Sequence, residues 1–532
     1  MVVAADLPDA TAGEGCGAGA AGEHPAYRAV GLSVVPASPP PTHPVPASLL
    51  RDAVSRLAPV LPLLQELGGR FAHAGHDLAL VGGPVRDAFL GRTSSDLDFT
   101  TDADPDAILG VISGWADAHW EIGRAFGTIG LRKRELVIEI TTYRTDSYDR
   151  ETRRPQVAFG TSLTEDLVRR DFTVNAMAIR LPSLEFVDEH DGLADLAAGR
   201  LRTPAAPEES FADDPLRMMR AARFASQLGF EVAPEVRAAM VDRAGTLSMI
   251  SAERVRDELT KLLLSPCPRA GLALLVDAGL AEIFLPELPA LRLEMDEHHR
   301  HKDVYDHSLI VLEQAIALEG PRTVLGVGSA DAVEGPDLVL RLAALLHDIG
   351  KPATRRFEGG GGVSFHHHEV VGAKLTARRL KALRFDKETT RAVTRLVELH
   401  LRFHGYGSGE WTDSAVRRYV TDAGPLLARL HLLTRSDSTT RNARKAERLS
   451  QTYDALEGRI ARLLEQEELG KVRPELDGTE IGEALGVSPG RVVGEAYRYL
   501  LSVRLDEGVL GKDVARERLL SWWAERPGAR AD

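Results

Sequence analysis

The stretch VGGPVRDAFLGRTSSDLDF, Val81 to Phe99, combines a pair of glycines with two aspartates that stand one residue apart. In a β-strand, residues i and i+2 project to the same face, so Asp96 and Asp98 would lie side by side. Two adjacent carboxylates repel each other unless a cation lies between them. A carboxylate pair solvated on the surface is the alternative, and the residues upstream argue against it.

The glycine pair predicts an anion site. A strand that ends at Gly82 and Gly83 lets the backbone approach a ligand closely, and the following helix N-terminus offers free N–H groups. Arg86 would add a cation on the first helical turn. If Asp96 and Asp98 lie on a neighbouring strand, Mg²⁺ would balance their charge and bridge to the same phosphates, because it prefers oxygen ligands. The stretch therefore predicts a two-metal site for phosphoryl-type transfer.

Composition bounds the class of protein. The chain has 532 residues, enough for three or four domains, and its hydrophobic content of 44% is typical of packed cores. The net charge of −13 argues against a uniformly basic nucleic-acid binder but leaves local basic grooves open. Two cysteines cannot form a cysteine zinc site. Since neither a membrane-spanning run nor a secretory signal is recognisable, we expect a cytoplasmic enzyme with no membrane partner.

The chain changes character along its length. Residues 1–47 are rich in Ala, Gly and Pro, which predicts a disordered tail. Residues 48–195 predict an α/β head, with one helix over 49–67 and strands in LALVGG, DLDFTT, ELVIEITTYR and LEFVDE. The rest of the chain predicts amphipathic helices, with loops at 320–338 and 358–365.

A second candidate cluster is EDLVRRDFTVNAMA, residues 165–178. Arg170 is a candidate triphosphate contact, and Asp171 is a candidate acceptor for a ribose hydroxyl. The alternative is a solvated helix face, where Arg-Arg-Asp runs are common.

A third cluster is FADDPLRMMRAARFASQLGF, residues 211–230. Arg217, Arg220 and Arg223 recur every three residues and form one slowly turning stripe on a helix. Asp214, which precedes a proline, also fits a helix N-cap, so a purely structural role stays open.

The order of these blocks resembles a known family. G-G-x-V-R-D, D-x-D, R-R-D-F-T-x-N-A and D-D-P-L-R-x-x-R-A-x-R-F occur in the order and spacing of class II tRNA nucleotidyltransferases and their poly(A) polymerase relatives. These enzymes belong to the polymerase-β-type nucleotidyltransferase superfamily. The resemblance extends over most of residues 48–525. It implies a head with a mixed sheet, followed by a mostly α-helical neck, an HD domain and a tail.

The resemblance also implies domain boundaries. The nucleotidyltransferase head would cover 48–195, and a helical, RNA-binding neck would cover 196–295. An HD domain would follow over 296–445, and a helical C-terminal tail over 446–532.

Individual roles follow from the resemblance. Asp96 and Asp98 would be the catalytic carboxylates that hold Mg²⁺, activate the RNA 3′-hydroxyl and bind the triphosphate. Asp214 and Arg217 would read the base edge, although Asp213 stands where the family commonly has Glu. A carboxylate accepts from an exocyclic amine and a guanidinium donates to a ring nitrogen or carbonyl, so one such pair can accept C and A and reject U and G. The other implied nucleotide-binding residues are Gly83, Arg86, Arg170, Asp171, Arg220 and Arg223.

Three segments favour addition of CCA to tRNA over poly(A) synthesis. EIGRAFGTIGL, residues 121–131, resembles the G-x-x-F-G-T block of the tRNA enzymes, whereas poly(A) polymerases usually carry an arginine-rich G-R-R-F-R type. The charged loop at 145–162 resembles the loop with which CCA-adding enzymes switch to ATP. Residues 486–508 resemble the tail helices of bacterial CCA enzymes. The expected partners are therefore tRNA, CTP and ATP, with poly(A) synthesis as the alternative.

The helical middle of the chain carries a second set of candidate metal ligands. The spacing resembles that of the HD phosphohydrolase superfamily, and mixed imidazole and carboxylate ligands suit a transition metal such as Mn, Ni or Co better than Mg²⁺. Ordinary core or surface histidines, in an inert domain, are the alternative, as is an HD phosphohydrolase whose head only binds RNA. The expected ligands are His307, His347, Asp348 and Asp437, completed by His368 and His400.

Overall fold

A computed structural model describes most of the chain. The chain divides into two compact units, one formed by Met1–Ser251 with Pro266–Leu280 and the other by Ala252–Ser265 with Ala281–Asp532. The predicted disordered tail up to residue 46 and the middle of the 145–162 loop lie outside the described residues. The described ranges are 47–93, 96–147, 156–293, 303–320, 333–358, 362–405, 411–439, 442–467 and 473–526.

The head is built on a mixed sheet, as the resemblance implied. Among the described residues, seven strands form this sheet in the order β3-β4-β5-β2-β1-β8-β9. The pairing of β2 with β5 is parallel, while β1 runs antiparallel to both β2 and β8. A separate hairpin pairs β6 with β7. The strands are β1 (Leu78–Val81), β2 (Asp96–Thr101), β3 (Ala118–Trp120), β4 (Thr128–Lys133), β5 (Leu136–Thr142), β6 (Arg144–Ser147), β7 (Gln156–Phe159), β8 (Ala178–Leu181) and β9 (Glu185–Val187).

Helices flank the sheet, and the predicted single helix over 49–67 is two helices. A turn at residues 57–60 separates them, because Pro59 lacks an N–H and disfavours a helical conformation for the residue before it. Leu64, Leu67 and Phe71 of the second helix are fully buried. The helices of the head are α1 (Ala47–Arg56), α2 (Leu61–His73), α3 (Gly83–Phe89), α4 (Pro105–Ile112), α5 (Leu163–Val168) and α6 (Gly192–Ala197).

The remainder of the first unit carries the arginine stripe on its longest helix, α8. Most apolar residues of α8 are buried, and Ser226 on this helix accepts a hydrogen bond of 2.9 Å from the amide of Gly271 on α11. A short parallel pair, β10 with β11, lies beside it. The elements are β10 (Arg200–Leu201), α7 (Pro207–Asp213), α8 (Leu216–Leu228), β11 (Glu231–Val232), α9 (Pro234–Arg243) and α11 (Pro268–Asp277).

The second unit is almost entirely helical. The segment 358–365, predicted to be a loop, instead contributes to a small antiparallel hairpin of β12 with β13. The core at the C-terminal end includes Ile481, Leu500 and Leu519. The elements are α10 (Ala252–Leu263), α12 (Ala281–Phe284), α13 (Val304–Leu318), α14 (Leu338–Leu346), α15 (Lys351–Thr354), β12 (Arg356–Glu358), β13 (Gly362–Ser364), α16 (His368–Ala382), α17 (Lys387–Leu399), α18 (Asp413–Ala423), α19 (Leu427–Ser436), α20 (Ala443–Glu467), α21 (Gly478–Leu485), α22 (Arg491–Glu507) and α23 (Lys512–Ala524).

Within the described residues, no helix combines the length and the apolar character that a bilayer crossing requires. The domain boundaries at 47, 195, 295 and 445 stay predictions.

Candidate active site and candidate metal centre

Three carboxylates share one face of the head sheet. Asp96 and Asp98 alternate along β2, and Glu139 on β5 lies directly opposite Asp98 in the parallel pairing. Burial raises the pKa of Asp98, Arg170 opposes this shift, and Asp96 adds to it. The pKa of Glu139, which stays exposed to solvent, is also raised, by partial desolvation and then by Asp98 and Asp96. This mutual repulsion shows that the three groups form one strongly negative cluster.

Glu139 was missed in the sequence because only the strand register brings it to Asp98. It is the one charged residue within LVIEITT, at a position where alternation sends it to the face opposite Ile138 and Ile140. This charged residue within an apolar strand is the feature of the sequence that could have indicated a functional role for Glu139.

The glycine turn brings cations to these carboxylates. Gly82 has φ of +73°, in the left-handed region that favours glycine. A Cβ there would lie 3.3 Å from Nη1 of Arg170 and 3.7 Å from Oδ2 of Asp98. At Gly83, a Cβ would lie 3.7 Å from Nη2 of Arg86. The missing side chains therefore leave space between two arginines and a carboxylate, in the place where a phosphate group would fit.

A chain of hydrogen bonds links Arg86 to Arg220 on α8. Arg86 donates to Oδ1 of Asn175 at 2.7 Å, and Asn175 donates to Oδ1 of Asp171 at 3.0 Å. Oδ1 of Asp171 also accepts from the Phe172 amide, while Oδ2 accepts from Nε of Arg220 at 2.7 Å. Burial acts to raise the pKa of Asp171, but Arg220 and Asn175 outweigh it and hold the pKa well below its usual value. Asp171 is therefore ionised and fixes Arg220.

Phe224 gathers three of the predicted arginines around one aromatic ring. The guanidinium carbons of Arg223, Arg86 and Arg220 lie 4.0, 5.3 and 5.5 Å from its centroid. The ring is only 4% exposed and packs edge-on against Phe172. Its negative π face offsets part of the repulsion between the cations. The sequence pattern contained Phe224 but did not indicate this role.

Asp214 and Arg217 lie at the start of α8. Oδ1 of Asp214 accepts from the Leu216 amide at 3.1 Å, so a capping role is present. Arg217 donates to Oγ of Ser210 at 2.9 Å and to the carbonyl of Arg169 at 2.5 Å. Arg217 also helps to lower the pKa of Asp171, which shows that the Arg217 guanidinium lies near Asp171 and its partner Arg220. The predicted base-reading pair is thus positioned beside them, and its function stays a prediction.

The second unit brings all six predicted HD ligands together in two trios. In each trio the candidate donor atoms lie within 4.8 Å of one another. Nε2 of His307 lies 2.9 Å from Oδ1 of Asp437, and Nε2 of His368 lies 3.3 Å from Oδ1 of Asp348. The first trio is His307, His347 and Asp437, and the second is Asp348, His368 and His400.

The orientation of three imidazoles fits metal ligation. Nδ1 of His347, His368 and His400 lies 2.9, 2.8 and 2.7 Å from the carbonyl oxygens of Ala344, Phe365 and Val397. These bonds keep a proton on Nδ1 and turn Nε2 towards the carboxylates. Each of these Nε2 atoms is buried without a hydrogen bond to any residue that the structure describes. A buried imidazole nitrogen that carries a free lone pair suits a bound cation.

Electrostatics indicates the same demand for positive charge. Burial acts to lower the pKa of His347, but Asp348 and Asp437 outweigh it and raise the pKa to about 8. Lys351, which the sequence reasoning did not include, places Nζ 2.6 Å from Oδ2 of Asp348. Burial lowers the pKa of His400 to about 3, so this imidazole is neutral.

Gly350 explains how the ligands from separate segments meet. A Cβ at this position would lie 2.1 Å from the carbonyl oxygen of His368 and 2.7 Å from the amide nitrogen of Gly372. Only glycine lets the turn after His347 and Asp348 touch the backbone of α16. This contact holds the segment that carries His347 and Asp348 against the helix that carries His368.

The mixed sheet and its carboxylate row, together with the histidine–aspartate cluster, define a nucleotidyltransferase head followed by an HD domain. Family models match three segments: the Poly A polymerase head domain at residues 78–202, the Probable RNA and SrmB-binding site of polymerase A at 229–291, and the HD domain at 304–442. The A-adding tRNA nucleotidyltransferase of Deinococcus radiodurans is 34% identical over 458 residues, 85% of this chain and 96% of that protein. The chain belongs to the tRNA nucleotidyltransferase and poly(A) polymerase family, whose members depend on divalent metal ions.

A further relative matches over a shorter part of its length, and two solved structures match over most of theirs. The CCA-adding enzyme of Levilactobacillus brevis is 40% identical over 236 residues, which is 44% of this chain and 57% of that enzyme. The structure of the Bacillus stearothermophilus CCA-adding enzyme in complex with CTP superposes with a TM-score of 0.57 at 22% identity, covering 88% of this chain and 97% of that one. The Thermotoga maritima CCA-adding enzyme complexed with tRNA superposes with a TM-score of 0.54 at 19% identity, covering 89% and 98%. These structures share the fold of this chain.

Proposed function

We propose that this chain adds C, C and A to the 3′ ends of tRNA, taking CTP and ATP as substrates and using no nucleic-acid template. The observation that carries this proposal is the row of Asp96, Asp98 and Glu139 beside the Gly82 turn and its arginines. The name of the Deinococcus radiodurans relative, a tRNA nucleotidyltransferase, supports tRNA as the acceptor. A tRNA substrate also implies that the activity is cytoplasmic.

The geometry suits in-line nucleotidyl transfer. Arg86 and Arg170, on the glycine-turn side of Asp98, would bind the triphosphate, and Arg220 would extend this contact. The RNA 3′-oxygen attacks the α-phosphorus, a new phosphodiester bond forms, and pyrophosphate leaves. Asp96 and Asp98 would hold Mg²⁺, which when bound neutralises phosphate charge and makes the 3′-hydroxyl more acidic.

Base selection would rest on Asp214 and Arg217. Arg217→Ala should relax discrimination against UTP and GTP while lowering the overall rate. Loss of the cap in Asp214→Ala should in addition cost about 1 kcal/mol of stability. If nucleotide selectivity is unchanged in both variants and only the Asp214 variant melts earlier, the pair is structural.

Addition of A alone is the second candidate. It is favoured by the relative that matches this chain along nearly its whole length, which is named an A-adding enzyme. The test uses three tRNAs, ending at the discriminator base, after C and after CC, with CTP and ATP supplied separately and together. Sequencing of the products distinguishes the cases: CCA addition extends all three, A addition extends only the last, and poly(A) synthesis gives a homopolymer.

We further propose that the HD cluster binds a transition metal and hydrolyses a phosphoester. The buried Nε2 atoms of His347, His368 and His400 support this proposal, and the mixed donor set favours Mn, Ni or Co over Mg²⁺. His347→Ala should remove phosphohydrolysis and leave nucleotide addition intact. Both activities are measured with Mg²⁺, Mn²⁺, Ni²⁺ and Co²⁺. If the unmutated protein retains no transition metal and cleaves neither a cyclic nucleotide nor a phosphomonoester, the cluster is structural only.

A further inference from the structure

The two sides of Asp98 differ in chemistry. On the β1 side lie the Gly82 turn and the guanidinium of Arg170. On the opposite side, the next residue across the sheet is Glu139 on β5, and it pairs with Gly130 on β4. A triphosphate, which carries several negative charges, requires the cationic side. Because the bound nucleotide occupies the cationic side, the side of β5 and β4 is left for the 3′ end of the acceptor RNA, with Mg²⁺ offsetting the carboxylate charge between them.

An indole covers that side of the sheet. Trp120 on β3 pairs with Gly130, so Asp98, Glu139, Gly130 and Trp120 form one row across four strands. Directly paired residues project to the same face. A Cβ at Gly130 would lie 2.0 Å from Nε1 and 2.2 Å from Cε2 of Trp120. The ring therefore lies on Gly130 itself, folded from β3 towards the carboxylates.

The position and exposure of this ring suit contact with a nucleotide. Neighbouring strands are about 4.8 Å apart, so Gly130 lies about 10 Å from Asp98, a separation on the scale of one nucleotide. Trp120 is partly exposed. In the adjacent row, Asp96 pairs with Val137, an apolar residue that is 39% exposed.

A cation completes this surface. Arg132 pairs with Val137, projects to the same face of the sheet and is exposed. An arginine beside an aromatic ring is the combination that binds single-stranded RNA, since the ring stacks on a base and the guanidinium contacts the backbone.

We propose that Trp120, seated on Gly130, is the platform on which the 3′-terminal base of the RNA acceptor stacks, with Arg132 contacting its backbone phosphate. This inference rests on the proposed function, because it assigns the acceptor side of the same site. Stacking on an indole tolerates any base, so one platform serves an end that changes after each addition. Trp120 would set acceptor affinity, and the arginines on the other side would set nucleotide affinity.

The test separates these two affinities. KM for a tRNA that ends at the discriminator base and KM for CTP are measured in Trp120→Ala, Trp120→Phe and Gly130→Ala. Trp120→Ala should raise the KM for tRNA roughly ten- to a hundredfold, with little change in the KM for CTP or in kcat at saturating tRNA. Trp120→Phe should recover most of the loss. Gly130→Ala should resemble Trp120→Ala, because its methyl group displaces the indole. His119→Ala is the matched control, since this exposed neighbour in β3 projects to the opposite face.

A second readout does not depend on catalysis. A short single-stranded RNA should quench tryptophan fluorescence in the unmutated protein and quench it less in Trp120→Phe, with melting curves confirming that both are folded. An unchanged tRNA KM in Trp120→Ala would overturn the inference, as would an equal rise in the KM values for CTP and tRNA. If the unmutated protein extends no tRNA, the proposed function fails. The quenching difference then decides on Trp120 by itself.

Discussion

Glu139 faces Asp98 across the parallel pairing of β5 with β2, so the candidate active site contains a third carboxylate next to the two of the D-x-D block. This places negative charge on the side of Asp98 that lies away from the glycine turn. The consequence can be measured by neutralising each carboxylate in turn.

Asp98→Asn should abolish nucleotide addition, because the variant loses a metal-ligating charge at the centre of the row. Asp96→Asn should have the same effect. Glu139→Gln should lower kcat between about ten- and a hundredfold, as expected for a group that supports the metal ligands. Initial rates with CTP and tRNA measure these losses. Glu135→Gln, at the exposed turn between β4 and β5, is the control; normal rates in the Asp98 variant would exclude the two-metal site.

Gly82→Ala should weaken nucleotide binding beyond its effect on stability. An alanine at φ of +73° and ψ of −135°, a conformation adopted almost only by glycine, costs about 1–3 kcal/mol, and here its methyl group would also lie 3.3 Å from Nη1 of Arg170. Gly91→Ala is the matched control, since φ is +70° there and a Cβ meets nothing within 4 Å. Both variants should melt earlier, but only Gly82→Ala should raise the KM for CTP. Equal KM values in the two variants would show that the turn has no part in nucleotide binding.

Phe224→Leu should reduce the affinity for both CTP and ATP. It removes the ring around which Arg86, Arg220 and Arg223 lie, and a cation–π contact contributes about 0.5–2 kcal/mol. Phe71→Leu, at a fully buried position of α2, controls for the loss of an aromatic ring from the core. Calorimetric titration with each nucleotide measures the difference. A similar affinity for CTP and ATP in both variants would mean that Phe224 contributes only to packing.

Asp171→Asn should destabilise the head in a pH-dependent way. Because the pKa of Asp171 is lower in the folded protein than in the unfolded chain, its charge stabilises the fold above the unfolded value near pH 4 and loses this effect as the pH falls towards the folded value. The variant should therefore be less stable than the unmutated protein at pH 7, and the gap should narrow below about pH 4. Chemical unfolding at several pH values tests this. A gap that is constant with pH would mean that the ion pair with Arg220 contributes nothing.

His368→Ala should lower the affinity of the second unit for a transition metal, by more than roughly tenfold if His368 is a direct ligand. The adjacent His367 supplies the control, because its side chain is 83% exposed and belongs to neither trio. Metal content after dialysis against Mn²⁺, Ni²⁺ or Co²⁺ is the measurement. Equal retention by the two alanine variants would contradict the ligand assignment.

The sequence predicted what depends on local spacing. The glycine turn and the alternation of Asp96 and Asp98 follow from a few adjacent residues, and so the strands β1 and β2 and the helix α3 were found. The six candidate HD ligands come from distant segments, so only the resemblance to a known family predicts them; the structure brings them together, and their role stays a prediction. Glu139, Asn175 and Phe224 were missed, since strand register and tertiary packing bring them to the site.

Some strands and side-chain orientations could not be predicted, because the residues around them show no clear pattern. The strand β3 (AHW) has a single large apolar residue, β8 (AIRL) carries an arginine, and β4 (TIGLRK) ends in two charged residues, so none of the three shows a clear apolar run. The hairpin of β12 and β13 flanks a run of glycines that is typical of a loop. Nδ1 of His347, His368 and His400 meets the carbonyl oxygen three residues earlier in each case, but the side-chain rotamer that makes this bond is set by tertiary packing.

Because Gly350 contacts the backbone of α16, substitutions at this position can test in cells whether the HD cluster is needed. Any substitution there places an atom 2.1 Å from the carbonyl oxygen of His368. It would therefore push α16, which carries His368, away from the segment that carries His347 and Asp348, without altering a candidate ligand. A randomised library selected only for tRNA repair in cells should retain glycine at position 82. Whether the same library retains glycine at position 350 would measure how far survival depends on the HD cluster, before its substrate is known.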